Sequence, residues 1–203
     1  MDNANPTKTP PSRLILASSS TYRAKLLARL GIDFEKQPPD IDETPENHET
    51  GGDLALRLAK IKATHGQTAP QDDPLIIGSD QVAVFEGLLL GKPGSPENAE
   101  RQLIQCAGKR VQFFTGLALW RPRQNALQTK VVTTEVAMRA LTRAEIARYV
   151  VRDQPLDCAG SFKWESLGIS LFTKISGPDP TALEGLPLIA LSEMLRSEGY
   201  QVP

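Results

Sequence analysis

Leu75, Ile76 and Ile77 form a short, wholly apolar run that stops at Gly78-Ser79-Asp80. A strand without polar alternation is covered on both faces, so helices must lie on the two sides of the sheet that contains it. Its abrupt polar end is where an open α/β sheet places a ligand crevice. Leu14 to Ala17 repeats the pattern: an apolar run, the serines 18 to 20, then Tyr22, Leu26, Leu27 and Leu30 at helical spacing before Gly31. The order is strand, serine loop, helix.

The remaining segments extend this α/β reading. A second strand is expected at Phe34 to Gln37, followed by an acidic, proline-bearing loop from Pro38 to Gly52 and a helix from Asp53 to Thr64. Val82 to Leu90, broken at Glu86-Gly87, reads as a hairpin. Ser95-Pro96 starts a helix that reaches Cys106 and stops at Gly108. Val111 to Arg121 and Leu127 to Ala140 are β-branched and aromatic, with a polar turn between them, and form a long antiparallel pair. Thr142 and Glu145 make a capping box for a helix ending near Arg152. A strand at Ile169 to Ile175 and a closing helix from Pro187 to Glu198 complete the chain. The expected fold is a mixed sheet with flanking helices in two lobes around a cleft, formed by one domain over residues 13–203. Residues 1–12, polar and proline-rich, read as a disordered tail without the features of a signal peptide.

Charge and cysteine usage exclude several classes. A net charge of -1, with both signs interspersed, supplies no basic surface for polymeric nucleic acid. Two cysteines, Cys106 and Cys158, are too few for a disulfide framework or a zinc cluster and read as reduced thiols in a cytoplasmic protein. No apolar run has membrane-spanning length.

A few polar residues stand where chemistry is possible. The serine run at a helix start, with Arg23 one turn in, offers an anion cradle, although one serine capping the helix would explain it equally. Lys62 falls on the apolar face of its helix with Leu54, Ala55, Leu58 and Ile61, so it either snorkels from the edge or crosses the face to meet a phosphate or carboxylate. Asp80, after a buried-type strand, could act as general base or metal ligand, or be a turn residue. Glu43 in the acidic loop could share a divalent ion with it. Gly91-Lys92-Pro93 is not a Walker loop, but Lys92 remains a charge beside a tight turn. His48 and His65 lack ligand spacing and read as surface residues.

Taken in series, LILASSSTYRAKLLARLGIDFEKQPPDIDET, LRLAKIKA, LIIGSDQV, GKP, FFTGLAL, CAGSFKWESLGI and EGLPLIAL resemble the Maf family over nearly the whole chain. SDQV, AGSF and Glu165 resemble its YceF-like branch, whose members hydrolyse 7-methyl-GTP; the sister branch acting on dTTP and UTP usually has threonine after the aspartate and glutamine in place of Glu165. The resemblance implies an architecture related to inosine triphosphate pyrophosphatase and a divalent metal, Mg or Mn. It implies that Asp80 is the proton acceptor. Ser18, Arg23, Lys62 and Lys92 match phosphate-site positions, with Glu43 and Asp80 at the metal. Tyr22, Gln81 and Glu165 match selectivity positions, beside which Trp164 departs from the small or aliphatic residue usual in the family. The implied activity is hydrolysis of 7-methyl-GTP to 7-methyl-GMP and diphosphate. Its alternatives are the same chemistry on UTP, dTTP, CTP or another modified nucleotide, or a non-catalytic nucleotide-binding regulator of septum formation. The expected partner is a small nucleotide, without membrane or nucleic acid, and a homodimer is left open.

Overall fold

A computed structural model describes residues 10–65 and 73–203. The tail expected at 1–12 lies outside the described residues except for Pro10 to Ser12, where the Pro11 carbonyl accepts a hydrogen bond from the Tyr200 hydroxyl. The element order is β1 (Arg13–Leu16), α1 (Thr21–Ala28), β2 (Glu35–Lys36), α2 (Gly51–Thr64), β3 (Pro74–Phe85), β4 (Leu88–Leu90), α3 (Pro96–Cys106), β5 (Arg110–Arg121), β6 (Ala126–Met138), α4 (Arg143–Asp153), β7 (Phe172–Ser176) and α5 (Leu188–Ser197). Short 3-10 segments cover Leu167–Leu171 and Pro180–Glu184.

The strands make one mixed sheet in the order β2-β1-β3-β5-β6-β7, with β4 also on β3. β1 runs parallel to β2 and β3, and every pair beyond β3 is antiparallel. The long strands β3, β5 and β6 run through two hydrophobic cores. Leu75, Ile77, Leu117 and Leu119 join Leu26, Leu27, Leu191 and Leu195 from α1 and α5 in the first. Ala83, Phe85, Val111 and Phe113 join Leu103, Ile146 and Val150 from α3 and α4 in the second. The two lobes are thus the two ends of the same strands, each covered by its own helices.

Asp80 was expected just past a strand end. Instead β3 continues through it to Phe85, and Asp80 pairs with Gly116 in mid-strand. What ends there is the neighbour: β1 pairs with β3 only from Pro74 to Ile77, and β4 takes up the same edge only from Ala83. Gly78 to Val82 therefore lie on an edge that neither strand covers. The crevice opens because β1 stops, not because β3 does.

The face of β3 bearing Gly78 and Asp80 receives α2 at very close range. A Cβ built on Gly78 would lie 2.1 Å from the Ala59 carbonyl oxygen, and one on Gly116 2.1 Å from that of Ala55. Only glycine admits this approach. The small residues Ala55, Ala59 and Ala63, all fully buried, form the helix side of the contact.

Local signals explain most boundaries. Ser95 caps α3 with Pro96 in its first turn, and Thr142 with Glu145 forms the full capping box of α4. α2 starts at Gly51, earlier than the expected Asp53, because Thr50 accepts from the Asp53 N–H. The β3–β4 hairpin turns at Glu86 and Gly87, both at positive φ, as a two-residue type I′ connection requires. The strand expected at Ile169 to Ile175 begins only at Phe172, because Leu167–Leu171 winds into a 3-10 segment held by the Gly168 N–H on the Lys163 carbonyl. The closing helix has no side-chain cap on its own N-cap residue, Pro187. Buried Asp179 and Thr181 instead accept from the N–H groups of Ile189 and Leu188.

Gly116→Ala is expected to destabilise the protein by about 1–3 kcal/mol, the usual cost of forcing extra atoms into a packed contact. Chemical denaturation checks this. A wild-type midpoint would show that α2 can move off the sheet at no cost.

Candidate active site

A cleft of about 650 Å³ lies along the uncovered edge of β3, within the size range of small-molecule sites. Ser18, Tyr22, Arg23, Glu43, Lys62, Asp80, Gln81, Lys92 and Glu165, the residues singled out from the sequence, all line it. The fold brings them together from β1–α1, the acidic loop, α2, β3, the loop after β4, and the segment after α4.

Lys62 crosses the helix face rather than snorkelling. Its Nζ donates to Asp80 Oδ1 at 2.6 Å and lies 2.6 Å from Glu43 Oε1, with only 8% of its side chain exposed. Glu43 is about half exposed, whereas Asp80 is nearly buried. Burial opposes the charge of Glu43, but the Lys62 hydrogen bond and the nearby charges of Lys62, Lys92 and Arg23 outweigh it and hold the carboxyl below its ordinary range. The approach of α2 through Gly78 sets this ion pair, because Lys62 is one turn beyond Ala59 and Asp80 is the next residue on the same strand face.

Arg23 is also largely withdrawn from solvent, with 13% of its side chain exposed. Its Nε donates to the Gly185 carbonyl at 2.8 Å, Nη1 donates to Ser18 Oγ at 3.4 Å, and Nη2 stands 4.0 Å from Asp80 Oδ1. Burial pulls its pKa down, and Asp80 and Glu43 partly restore it. Ser20 is the capping serine, accepting from the Arg23 N–H, while Ser18 Oγ accepts from the Ser20 N–H and faces the cleft beside Arg23. Lys92 is exposed at the rim. This end of the cleft combines three cationic side chains with a nearly buried aspartate.

The donor set suits a divalent ion that is completed by a ligand. Among the described residues no three His, Cys, Asp or Glu side chains form a cage. Asp80 and Glu43 are nevertheless neighbours, both 2.6 Å from the Lys62 ammonium, and magnesium is commonly held by one or two carboxylates with phosphate oxygens and water supplying the rest.

A second group of cleft residues is acidic. Glu165, with Asp157 and Glu184, lines the wall near Tyr22 and Cys158. Burial raises the Glu165 carboxyl above its usual range, and Asp153 and Asp157 add to the effect. Burial and then Glu165 raise Glu184. Tyr22 is pushed up by burial and by the acidic groups around it, and burial with Asp157 takes the Cys158 thiol to about 12. That thiol is no nucleophile. Trp164 lines the cleft and packs on the second core, its indole N–H buried without a partner among the described residues.

Gln81 sits differently from a residue that reads a ligand with both ends of its amide. Its Nε2 donates to the carbonyls of Ala182 and Leu183, at 2.8 and 3.0 Å. Ser79 Oγ reaches the Gly185 carbonyl at 2.9 Å, and Thr115 Oγ1 donates to Ala182 at 2.8 Å. The sequence reading missed Ser79, Thr115, Asp157 and Glu184. The first two were visible as small polar residues inside apolar strands; the acids carried no periodic signal.

Residues 13–198 match the family described as Maf-like protein. The chain belongs to that family. It is 50% identical over 192 residues to the 7-methyl-GTP pyrophosphatase of Burkholderia lata, covering 94% of this chain and 91% of the relative. Among solved structures, it is similar to the Ham1 protein of Staphylococcus aureus, with TM-score 0.41 and 18% identity over 63% of this chain and 71% of the other. A nucleoside-triphosphatase / dITP/XTP pyrophosphatase from Mycobacterium abscessus gives TM-score 0.42 and 15% identity over 91% and 96%. These are distant likenesses, and membership of the Maf-like family rests on the sequence match. Among the described residues no helix is long and apolar enough to cross a membrane.

Lys62→Met keeps the apolar contacts of α2 but leaves Asp80 nearly buried with only Arg23 near it. A loss of about 1–3 kcal/mol is expected, the cost of an unpaired buried polar group. Equilibrium unfolding of the variant measures it. A change below about 0.5 kcal/mol, the range of ordinary surface substitutions, would mean that water replaces the ammonium freely.

Proposed function

We propose that this chain is a nucleotide pyrophosphatase that hydrolyses 7-methyl-GTP to 7-methyl-GMP and diphosphate. The observation that carries this reading is the division of charge along the cleft. Lys62 and Arg23 stand against Asp80, and with Lys92 they act on Glu43, whereas Asp157 and Glu165 act on Tyr22 and Glu165 on Glu184. A 7-methylguanine nucleotide has the complementary pattern, an anionic triphosphate joined to a cationic base. The half-identical relative named for this substrate supports the choice, which favours it over UTP, dTTP or CTP.

In this reading water attacks the α-phosphorus in line with the bond to the β-phosphate. The new P–O bond forms as the bond to the bridging oxygen breaks, and diphosphate leaves with that electron pair. Asp80 accepts the proton of the attacking water. Its contacts with Lys62 and Arg23 fall on Oδ1, which leaves Oδ2 for the proton. Arg23, Lys62 and Lys92, with the Ser18 hydroxyl, bind the phosphate oxygens and offset the charge that develops on the leaving group. Such transfer needs positioning and neutralisation more than covalent help. Glu43 and Asp80 would hold a magnesium or manganese ion, which when bound supplies Lewis-acid stabilisation of the phosphate oxygens.

At the other end, Glu165 accepts hydrogen bonds from the ring N–H and exocyclic amine of guanine, a donor pair that uracil and thymine lack. Methylation gives the base a positive charge and strengthens those bonds. Tyr22 closes the opposite side of this end. The two free thiols and the absence of a membrane-crossing helix among the described residues support a cytoplasmic location.

Asp80→Asn retains size and polarity but cannot accept the proton. Turnover should fall about 100- to 10,000-fold with the fold intact, the usual contribution of a general base. Product analysis should find diphosphate and the monophosphate, and chelation should stop the reaction. Inorganic phosphate as first product would contradict attack at the α-phosphorus; a folded variant keeping more than roughly a tenth of the rate would remove Asp80 as base.

A further inference from the structure

Gln81 and Ser79 flank Asp80 in sequence but point to the other face of β3. There they hold the segment Ala182 to Gly185 by its backbone. Both amide hydrogens of Gln81 are directed at the carbonyls of Ala182 and Leu183, and Thr115 from β5 reinforces the first of these. The Gly185 carbonyl accepts from Arg23 Nε at 2.8 Å, and the single hydroxyl hydrogen of Ser79 is shared between it and the Gly116 carbonyl. With carbonyls on both sides of it anchored, Glu184 has little freedom of backbone position. Its side chain lines the cleft on the Glu165 side, partly buried, with no ion-pair partner within 4 Å among the described residues.

We propose that Glu184 is a specificity-determining residue that selects a cationic base over a neutral one, and that Gln81 affects base choice as a positioning residue acting through it. The inference rests on the nucleotide pyrophosphatase reading above and adds a second carboxylate to Glu165. The two have different tasks. Glu165 addresses the hydrogen-bonding edge that guanine and 7-methylguanine share, whereas Glu184 responds to the charge that only the methylated base carries. Gln81 cannot offer its N–H groups to a base without releasing two carbonyls, so its amide nitrogen contributes by holding the wall in place.

This assignment explains how a residue beside the catalytic aspartate can influence the far end of the cleft. Threonine at position 81 would be too short to span from β3 to both carbonyls. The segment carrying residue 184 would then lose the two hydrogen bonds from Gln81 and keep only the Ser79 contact at Gly185 as its link to the strand that carries Asp80.

The test compares 7-methyl-GTP with GTP, which share ribose, triphosphate and hydrogen-bonding edge and differ in base charge. Specificity constants for both are measured for wild type, Glu184→Gln, Glu184→Asp, Gln81→Met and the double variant Gln81→Met/Glu184→Gln. Binding of 7-methyl-GMP and GMP is followed in parallel by calorimetry, and thermal melts establish folding. Glu184→Gln should lower the 7-methyl-GTP to GTP ratio by roughly 5- to 50-fold, between the effects of an exposed ion pair and of a charge-assisted hydrogen bond. The loss should appear mainly in KM and in the binding ratio. Glu184→Asp should recover part of it. Gln81→Met should lower the ratio too, but by less than about 2-fold once Glu184 is already glutamine, because contacts acting through one group are not additive.

An unchanged ratio in folded Glu184→Gln overturns the role of Glu184, while diphosphate release by wild type keeps the pyrophosphatase reading intact. Additive effects of the two substitutions overturn the positioning role of Gln81. Wild type that turns over neither substrate and binds the two monophosphates equally overturns both the reading and the inference.

Discussion

The approach of α2 to the sheet is the constraint on which the site depends. Side chains normally fill the gap between a helix and a sheet and keep the two backbones apart. Here Gly78 and Gly116 on adjacent strands leave room for the backbone carbonyls of Ala59 and Ala55. The same closeness lets a lysine on the helix and an aspartate on the strand meet at 2.6 Å out of bulk water. The apolar contacts around them set that distance, with Leu54 and Leu58 packed on Val82 just beyond the pair. The ion pair is therefore a consequence of backbone packing, and its energy matters less to folding than its position matters to chemistry.

A second consequence follows from the length of β3. Each lobe has its own core, but β3 enters both, as β5 and β6 do, so a residue in its middle is held from two sides. Asp80 occupies that middle position, and its edge is left open by the early end of β1. Alternation along the strand then gives its neighbours opposite duties. Asp80 faces α2 and Lys62. Ser79 and Gln81 face the segment that closes the other wall, and they tie the wall to the strand that carries the aspartate.

The separation of charge along the cleft depends on the same frame. Arg23, Lys62 and Lys92 come from three parts of the chain, whereas Asp157 and Glu165 share the segment after α4 and Glu184 ends the 3-10 turn at Pro180–Glu184. Lys62 and Arg23 stand against Asp80. Among the acids, burial with Asp153 and Asp157 raises Glu165, and burial with Glu165 raises Glu184.

Much of this was legible in the sequence because local signals are short-range physics. Helix starts at Ser95 and Thr142, the Glu86-Gly87 turn, and the long β5–β6 pair follow from capping, positive φ and β-branched patterning. Lys62 and Asp80 stood out because their charge conflicts with the apolar pattern around them. The sequence by itself could not decide whether Lys62 snorkels or crosses, since that depends on what lies opposite the helix. It placed Asp80 at a strand end because apolar runs stop there, whereas pairing with β5 carries the strand on. The cap of α5 lies on Asp179 and Thr181, outside the helix, and Glu184 has meaning only once Gln81 holds its backbone. Element types and the unusual polar residues are properties of neighbours in the chain; the crevice, the ion pair and the acidic wall depend on contacts between residues far apart in the chain, 162 positions in the case of Arg23 and Gly185, which only the packed fold brings together.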